Sequence, residues 1–209
     1  MQSLLSMKQL PEHAREKLLF AAMTLFASPK GFKETSILDV VEVARVSKTT
    51  FYNFFHSKEE LLSTLFEQLA DEFLQEVEKA ILKEKRVAYK GYAGIRRYME
   101  LCKQHKPITQ VLLVASVGVS EEVEEVRRKA HNRFAAVIYE TVRGVLPETV
   151  SEQEMKMASQ AMVGAINEVI IQHLMGSDEA EVEPVARLLN RITVGSFTSL
   201  AMGRTPLSR

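Results

Sequence analysis

The chain has 209 residues, 27 basic and 27 acidic side chains and no formal net charge, and it is 46% hydrophobic and 26% charged. Those shares are ordinary for a folded chain of one large domain or a small one plus a larger one, and neutrality alone gives no support to nucleic-acid binding. A lone cysteine, Cys102, excludes an intramolecular disulfide, and no apolar run reaches signal-peptide or membrane-spanning length, so a reducing, cytoplasmic setting without membrane contact is expected.

Few alternating β-branched runs and only nine glycines and six prolines favour an all-α chain. The first helix is predicted over 12–27, with Ala14, Leu18, Ala21, Ala22 and Leu25 on one stripe and Pro29-Lys30-Gly31 ending it. Ser36 and Asp39 form a capping box for a two-turn helix that buries Ile37, Val40, Val41 and Ala44. Ser47 can cap the next short helix. It carries Lys48, Thr49, Tyr52 and Asn53 on one face and Phe51 and Phe55 on the other. Ser57 with Glu60 reads as a second capping box. It opens a long helix over 57–82 that runs through Leu61, Leu65, Leu69, Phe73 and Val77 and spans roughly 37 Å. The charged stretch from Lys83 to Lys90 reads as a solvated connection.

Five further helices are predicted over 92–105, 107–118, 121–146, 152–175 and 184–202, with Pro107, Pro147 and Pro184 at or beside boundaries. Ser120 precedes a Glu-rich first turn, and Ser151 with Glu154 makes a third capping box. The helix near 152–175 has two apolar stripes, one through Met155, Ala158, Met162, Ala165 and Val169 and another through Met157, Ala161, Gly164 and Ile171. That is more apolar surface than one neighbour covers. The last helix joins Val185, Leu188, Leu189, Ile192 and Phe197 to the small residues Gly195, Ser196 and Ser199. Two readings follow: a fully interior helix pair, or a two-fold interface in which the pair meets its copy as a four-helix bundle. The expected architecture is a three-helix head over residues 1–60, joined through the long helix to a helical body over 61–209, about nine helices in all.

Helix, tight turn, helix, with outward polar groups backed by two Phe, suits a rod pressed into a DNA groove. The segment from Arg15 to Leu62 resembles the DNA-binding domain of the TetR family of bacterial transcriptional regulators. Ala22, Phe26, Gly31-Phe32, Thr35-Ser36-Ile37, Asp39-Val40, Val46-Ser47-Lys48, Thr50-Phe51-Tyr52, Phe55 and Ser57-Lys58-Glu59-Glu60-Leu61 carry the resemblance. Arg45 stands where that family usually has glycine in the turn, Val41 where it usually has alanine, and Phe54 where His or Tyr is common.

The pattern places Lys48, Thr49 and Asn53 at base edges in the major groove and Tyr52 at a backbone phosphate. Thr35 and Ser36 are expected to hold a phosphate at a helix N-terminus, and Lys58 and Arg45 to neutralise others, with Ser47 and Thr50 completing the DNA-binding set. The resemblance further implies a homodimer on double-stranded operator DNA, most simply a repressor, and a small, largely apolar effector in the body. Met99, Cys102, Val111, Leu112, Phe134, Ile138, Met162 and Asn167 are its candidate lining, each also able to serve as ordinary core. Met155, Ala161, Leu188, Ile192, Gly195 and Ser199 are the candidate dimer contacts.

No nucleophile motif, phosphate-cradling glycine loop or metal-ligand spacing is present, so no enzyme activity, metal or cofactor is expected. The alternative to a regulator is a helical small-molecule-binding or interaction protein without specific DNA binding, with Arg45 and Phe54 as signs of the loss.

Overall fold

The computed structural model describes residues 3–144, 150–175 and 181–203. Among them the α-helices are α1 (Ala14–Phe26), α2 (Gly31–Glu34), α3 (Ile37–Ala44), α4 (Lys48–Tyr52), α5 (Lys58–Lys83), α6 (Lys90–Gln104), α7 (Lys106–Gln110), α8 (Glu121–Arg143), α9 (Glu152–His173) and α10 (Val182–Ala201). No strand occurs among the described residues, and the long helices begin and end within a few residues of their sequence-predicted bounds. The predicted boundary signal at Pro147 lies outside the described residues.

Two local features depart from expectation. The residues after Pro29 form α2, a single turn that the Pro-Lys-Gly signal hides. The predicted helix over 107–118 is instead α7 followed by a π-helical turn, Val111–Ala115, closed by the Ser116 N–H on Val111 O at 3.3 Å. A widened turn leaves carbonyls poorly matched. Here Arg127 of α8 donates to Leu112 O at 3.3 Å and to Ser116 Oγ at 2.7 Å.

The chain gathers into two compact units, residues 1–73 with 104–130 and residues 74–103 with 131–209. The sequence-predicted division after residue 60 therefore differs from the compact units. The helical period runs unbroken through α5, so nothing in the sequence marks the change of unit near residue 73.

In the first unit α1 lies against α2, α3, α4, α7 and the π turn. Leu18, Leu19, Phe26, Phe51, Phe55, Leu61, Leu65 and Leu69 are buried at its centre. Each such side chain contributes roughly 1.5–3 kcal/mol on burial. The N-terminal arm is fastened to the same unit. The Leu4 and Leu5 N–H groups donate to the Glu72 carboxylate at 2.9 and 3.0 Å, and Leu4 itself is buried.

In the second unit α9 packs on α10, and Val163, Ile166 and Ile170 of α9 and Ala186, Leu189 and Phe197 of α10 are buried. Gly94 lets α6 lie directly against α5, because a Cβ there would stand 2.9 Å from Ile81 Cδ1.

Candidate functional site

The helix-turn-helix is fixed by its caps. Ser36 Oγ accepts the Asp39 N–H at 3.1 Å, and the Asp39 carboxylate takes the Ser36 N–H at 2.6 Å, so both halves of the first capping box form. Lys30 adds an ion pair to Asp39 at 2.7 Å. The Lys30 ammonium and then the Ser36 hydroxyl and N–H hold the Asp39 carboxyl well below the usual carboxylate range.

α3 ends with Arg45 in the left-handed region, φ 53° and ψ 48°, the one non-glycine residue with positive φ among the described residues. The Val46 N–H returns to Val41 O at 3.1 Å and the Arg45 N–H to Glu42 O at 3.1 Å, which is a Schellman closure. Glycine is the low-cost residue there, and an arginine adopts this conformation at about 1 kcal/mol.

Ser47 caps α4, its Oγ accepting the Thr50 N–H at 3.0 Å and lying 2.8 Å from Thr50 Oγ1. Beneath α4, Phe51 and Phe55 are buried, with ring centroids 5.9 Å apart. Lys48, Thr49, Tyr52 and Asn53 are exposed, as is Phe54 beyond them.

Two residues of the predicted phosphate set lie elsewhere than expected. Lys58 turns inward: its Nζ donates to Phe32 O at 2.7 Å, Thr35 O at 2.8 Å and Lys33 O at 3.4 Å, and sits 4.1 Å from the centre of the Phe32 ring. An ammonium has three donors, and here the carbonyls ending α2 take all of them. Desolvation draws the Lys58 pKa below the usual lysine range. Thr35 is buried, with its hydroxyl donated to Gly31 O at 2.6 Å.

The second expected box also differs. Ser57 Oγ accepts the Glu60 N–H at 3.0 Å, but the Glu60 carboxylate takes the His56 N–H at 2.6 Å instead of closing on Ser57. The box at Ser151 and Glu154 forms in full.

The second unit holds a partly open, almost wholly apolar cavity of about 80 Å³. α8 contributes Phe134, Val137, Ile138, Thr141 and Val142, and α9 contributes Val163, Ile166 and Asn167. Val77 and Ile81 of α5, Ile95 and Tyr98 of α6 and Thr193 of α10 complete most of the wall. Its polar element is Tyr98, whose hydroxyl donates to Asn167 Oδ1 at 3.0 Å and whose ring lies against Phe134 with centroids 5.3 Å apart. Burial pushes the Tyr98 phenol well above its ordinary pKa, so it stays a donor.

Of the eight sequence-predicted lining residues, Phe134, Ile138 and Asn167 border this cavity. Met99 and Cys102 are buried in α6 but do not line it, and Met162 is half-buried on α9 away from it. Val111 and Leu112 belong to the π turn of the other unit. Helical stripes mark which residues are buried but not which of them leave a void. The sequence carried a signal for Tyr98: a phenol among apolar α6 residues needs a partner for its hydroxyl, and Asn167 is an amide beside an apolar stripe.

A model of the bacterial regulatory proteins of the tetR family matches residues 18–65, the stretch from α1 to early α5. The fatty acid metabolism regulator protein of Bacillus subtilis (strain 168) is 23% identical over 189 residues, 87% of this chain and 94% of that one. The HTH-type transcriptional regulator EthR of Mycobacterium tuberculosis (strain ATCC 25618 / H37Rv) is 28% identical over 194 residues, 89% of this chain and 87% of that one. Residues 18–65 are thus a DNA-binding segment of the TetR type. The fold of the chain is also that of the fatty acid degradation regulator FadR from Bacillus halodurans, with a TM-score of 0.76 over 90% of this chain and 97% of that one at 14% identity. FadR from Bacillus subtilis, solved with stearoyl-CoA, gives a TM-score of 0.72 over 85% of this chain and 96% of that one at 18% identity. Like its relatives, this chain is a DNA-binding transcriptional regulator and not an enzyme.

Two further features of the chain bear on assembly and setting. Leu188, Ile192 and Val194 of α10 are 51, 47 and 51% exposed, and Met157 of α9 is 60% exposed. Ala161, Gly195 and Ser199 are exposed beside them and Met155 is half-buried. A Cβ added at Gly164 or Gly195 meets nothing within 4 Å, so neither glycine serves a contact inside the chain. Among the described residues no helix is long and apolar enough to cross a membrane, and no group of three or more His, Cys, Asp or Glu is placed to hold a metal.

Proposed function

We propose that this regulator is a cytoplasmic homodimeric repressor that presents one α4 to each half of a palindromic operator and lets go when an apolar effector fills the cavity of the second unit. The observation that carries the reading is α4 itself. Its polar side chains stand outward while Phe51 and Phe55 anchor it from behind, so a short helix is held rigidly enough to read base edges. Lys48, Thr49 and Asn53 contact base edges. Tyr52, Ser36 with the N–H groups opening α3, and Arg45 contact phosphates. Ser47 and Thr50 secure the start of α4. Lys58 is reassigned as the clamp that joins α5 to the end of α2, and Thr35 as the residue that presents a carbonyl to it.

The exposed apolar faces of α9 and α10 support dimerisation through Met155, Ala161, Leu188, Ile192, Gly195 and Ser199, with a second copy completing a four-helix bundle. The cavity supports an effector with an acyl chain, a reading favoured by the name of the Bacillus subtilis relative and by the stearoyl-CoA bound to its structural neighbour. Phe134 and Ile138 would flank the chain, and Asn167 with Tyr98 would orient it.

The test selects duplexes from a random pool with the purified protein, then titrates the bound complex with fatty acids and acyl-CoA thioesters. A palindromic consensus released by one acyl series is the expected result. Retention on heparin with no consensus would instead support a helical interaction protein.

A further inference from the structure

The cavity has a neighbour. On the solvent side of α5 and α8 lies an open groove of about 800 Å³ that shares Ile81, Val137 and Thr141 with the cavity. The same side chains therefore border both the narrower space and the more open one. The groove's lining includes the exposed apolar side chains Leu82 and Val87, which are 79 and 58% exposed, and the charged side chains Glu78, Lys90, Arg133 and Glu140. The shared wall is apolar even at Thr141, because its hydroxyl is spent on Val137 O at 2.7 Å.

Size is the second observation. Ligand sites usually offer about 300–1,000 Å³, and the cavity holds about 80 Å³. A molecule that uses the cavity needs space beyond it, and the adjoining groove is lined by both apolar and charged side chains. At one point the shared wall meets bare backbone: the end of the Ile81 side chain lies where a Cβ on Gly94 of α6 would stand, 2.9 Å from its Cδ1.

We propose that the groove is the mouth of the cavity: Ile81, Val137 and Thr141 form a gate, and the molecule admitted is an amphiphile whose narrow apolar tail passes the gate while its polar head stays at the rim. The rim holds two cations and two carboxylates, so it selects a polar head over an apolar one more than it selects a sign. This rests on the cavity being the effector site, and it adds the route and the shape of what uses it.

The test does not need the natural effector. In the full chain carrying Cys102→Ser and Ile138→Cys, the introduced thiol lies in the cavity wall, and its labelling by alkyl methanethiosulfonates is followed by mass. Ile81→Ala should speed labelling by the decyl reagent several-fold, and Val137→Trp should slow it by about tenfold or more, since a gate controls passage in both senses. Ile170→Ala, a buried truncation in the same unit that borders neither space, should leave the rate within about twofold. An ethyl reagent with a terminal trimethylammonium should label about tenfold slower than plain ethyl, because its charge must follow the chain inside. A decyl chain with the same terminal charge should match plain decyl within about threefold, because its charged end remains at the rim.

Equal rates in the Ile81 and Ile170 variants, or slow labelling by both charged reagents, would overturn the proposal. Ile81→Ala needs no bulky insertion, so the gate is tested even if Val137→Trp does not fold. Gate-dependent labelling in a protein that no acyl compound releases from DNA would keep the mouth and reject the acyl effector.

Discussion

The α3–α4 segment and the α9–α10 pair solve opposite surface problems. Around α4 the large apolar rings Phe51 and Phe55 are inside, and the outward positions are mostly polar. On α9 and α10 Leu188, Ile192, Val194 and Met157 point outward, each at least 47% exposed. An outward polar face backed by buried rings suits water or a nucleic acid. An outward aliphatic face of several neighbouring residues suits another protein surface. One chain thus presents two faces for two kinds of partner, and each can be changed without touching the other.

The largest effect should come from the aliphatic face. Leu188→Glu with Ile192→Glu should leave a monomer whose operator affinity falls by about 10²–10⁴-fold, because two half-sites are no longer held together. Sedimentation at low micromolar concentration and an operator titration check this. A pair variant that remains dimeric would move the interface off α10.

On the polar face, Lys48→Ala should cost about 1–3 kcal/mol at particular base pairs and relax specificity there, with folding unchanged. Titration against the operator and a scrambled duplex gives the difference, and equal weakening of both would return Lys48 to a phosphate role. Lys58→Ala sharpens the contrast from inside the same unit. It should lower stability by about 1–2 kcal/mol, because the carbonyls ending α2 lose their donor. The salt slope of DNA binding should stay the same. A slope reduced by about one per site would restore the phosphate contact the sequence suggested.

Arg45→Gly should act in two directions. Relief of the left-handed backbone should stabilise the chain by about 1 kcal/mol, while loss of a phosphate contact should weaken all duplexes alike. Thermal melts and salt-dependent titrations read the two separately.

The smallest effect concerns pH. The folded Asp39 carboxyl is held below its ordinary value of 3.8. A depressed folded pKa gives stability that is complete above the unfolded value and is lost as pH falls towards the folded one. Asp39→Asn should therefore lose less stability than the parent between about pH 5 and pH 3, measured by thermal melts. Identical acid slopes would show that the capping box contributes nothing through this charge.

Much of the head was legible because its determinants are local. A hydroxyl three residues before a carboxylate makes a capping box at Ser36 and at Ser151 by chain geometry alone. The 3.6-residue period likewise puts Phe51 and Phe55 on the buried side of α4. Local rules failed where a competing group lay within reach, whether one position away or some 25. Glu60 has the right spacing to close on Ser57, yet the His56 N–H captures its carboxylate. Lys58 reads as a surface cation, yet it lies within reach of carbonyls 23 to 26 residues back.

The sequence by itself determined the helical class, the turn with Arg45 at its corner, the outward polar set on α4 and the surplus apolar surface of α9 and α10. These follow from periodicity and from interactions between residues a few positions apart. Only the tertiary structure decided that residues 104–130 join the first unit, that Lys58 faces inward, and that Tyr98, Phe134 and Asn167 meet at a cavity which Met99, Cys102 and Met162 do not line. A void is the space left over when helices far apart in the chain fail to close on one another. Helical period tells which side of each helix is buried, but it carries no record of the distance to the next one.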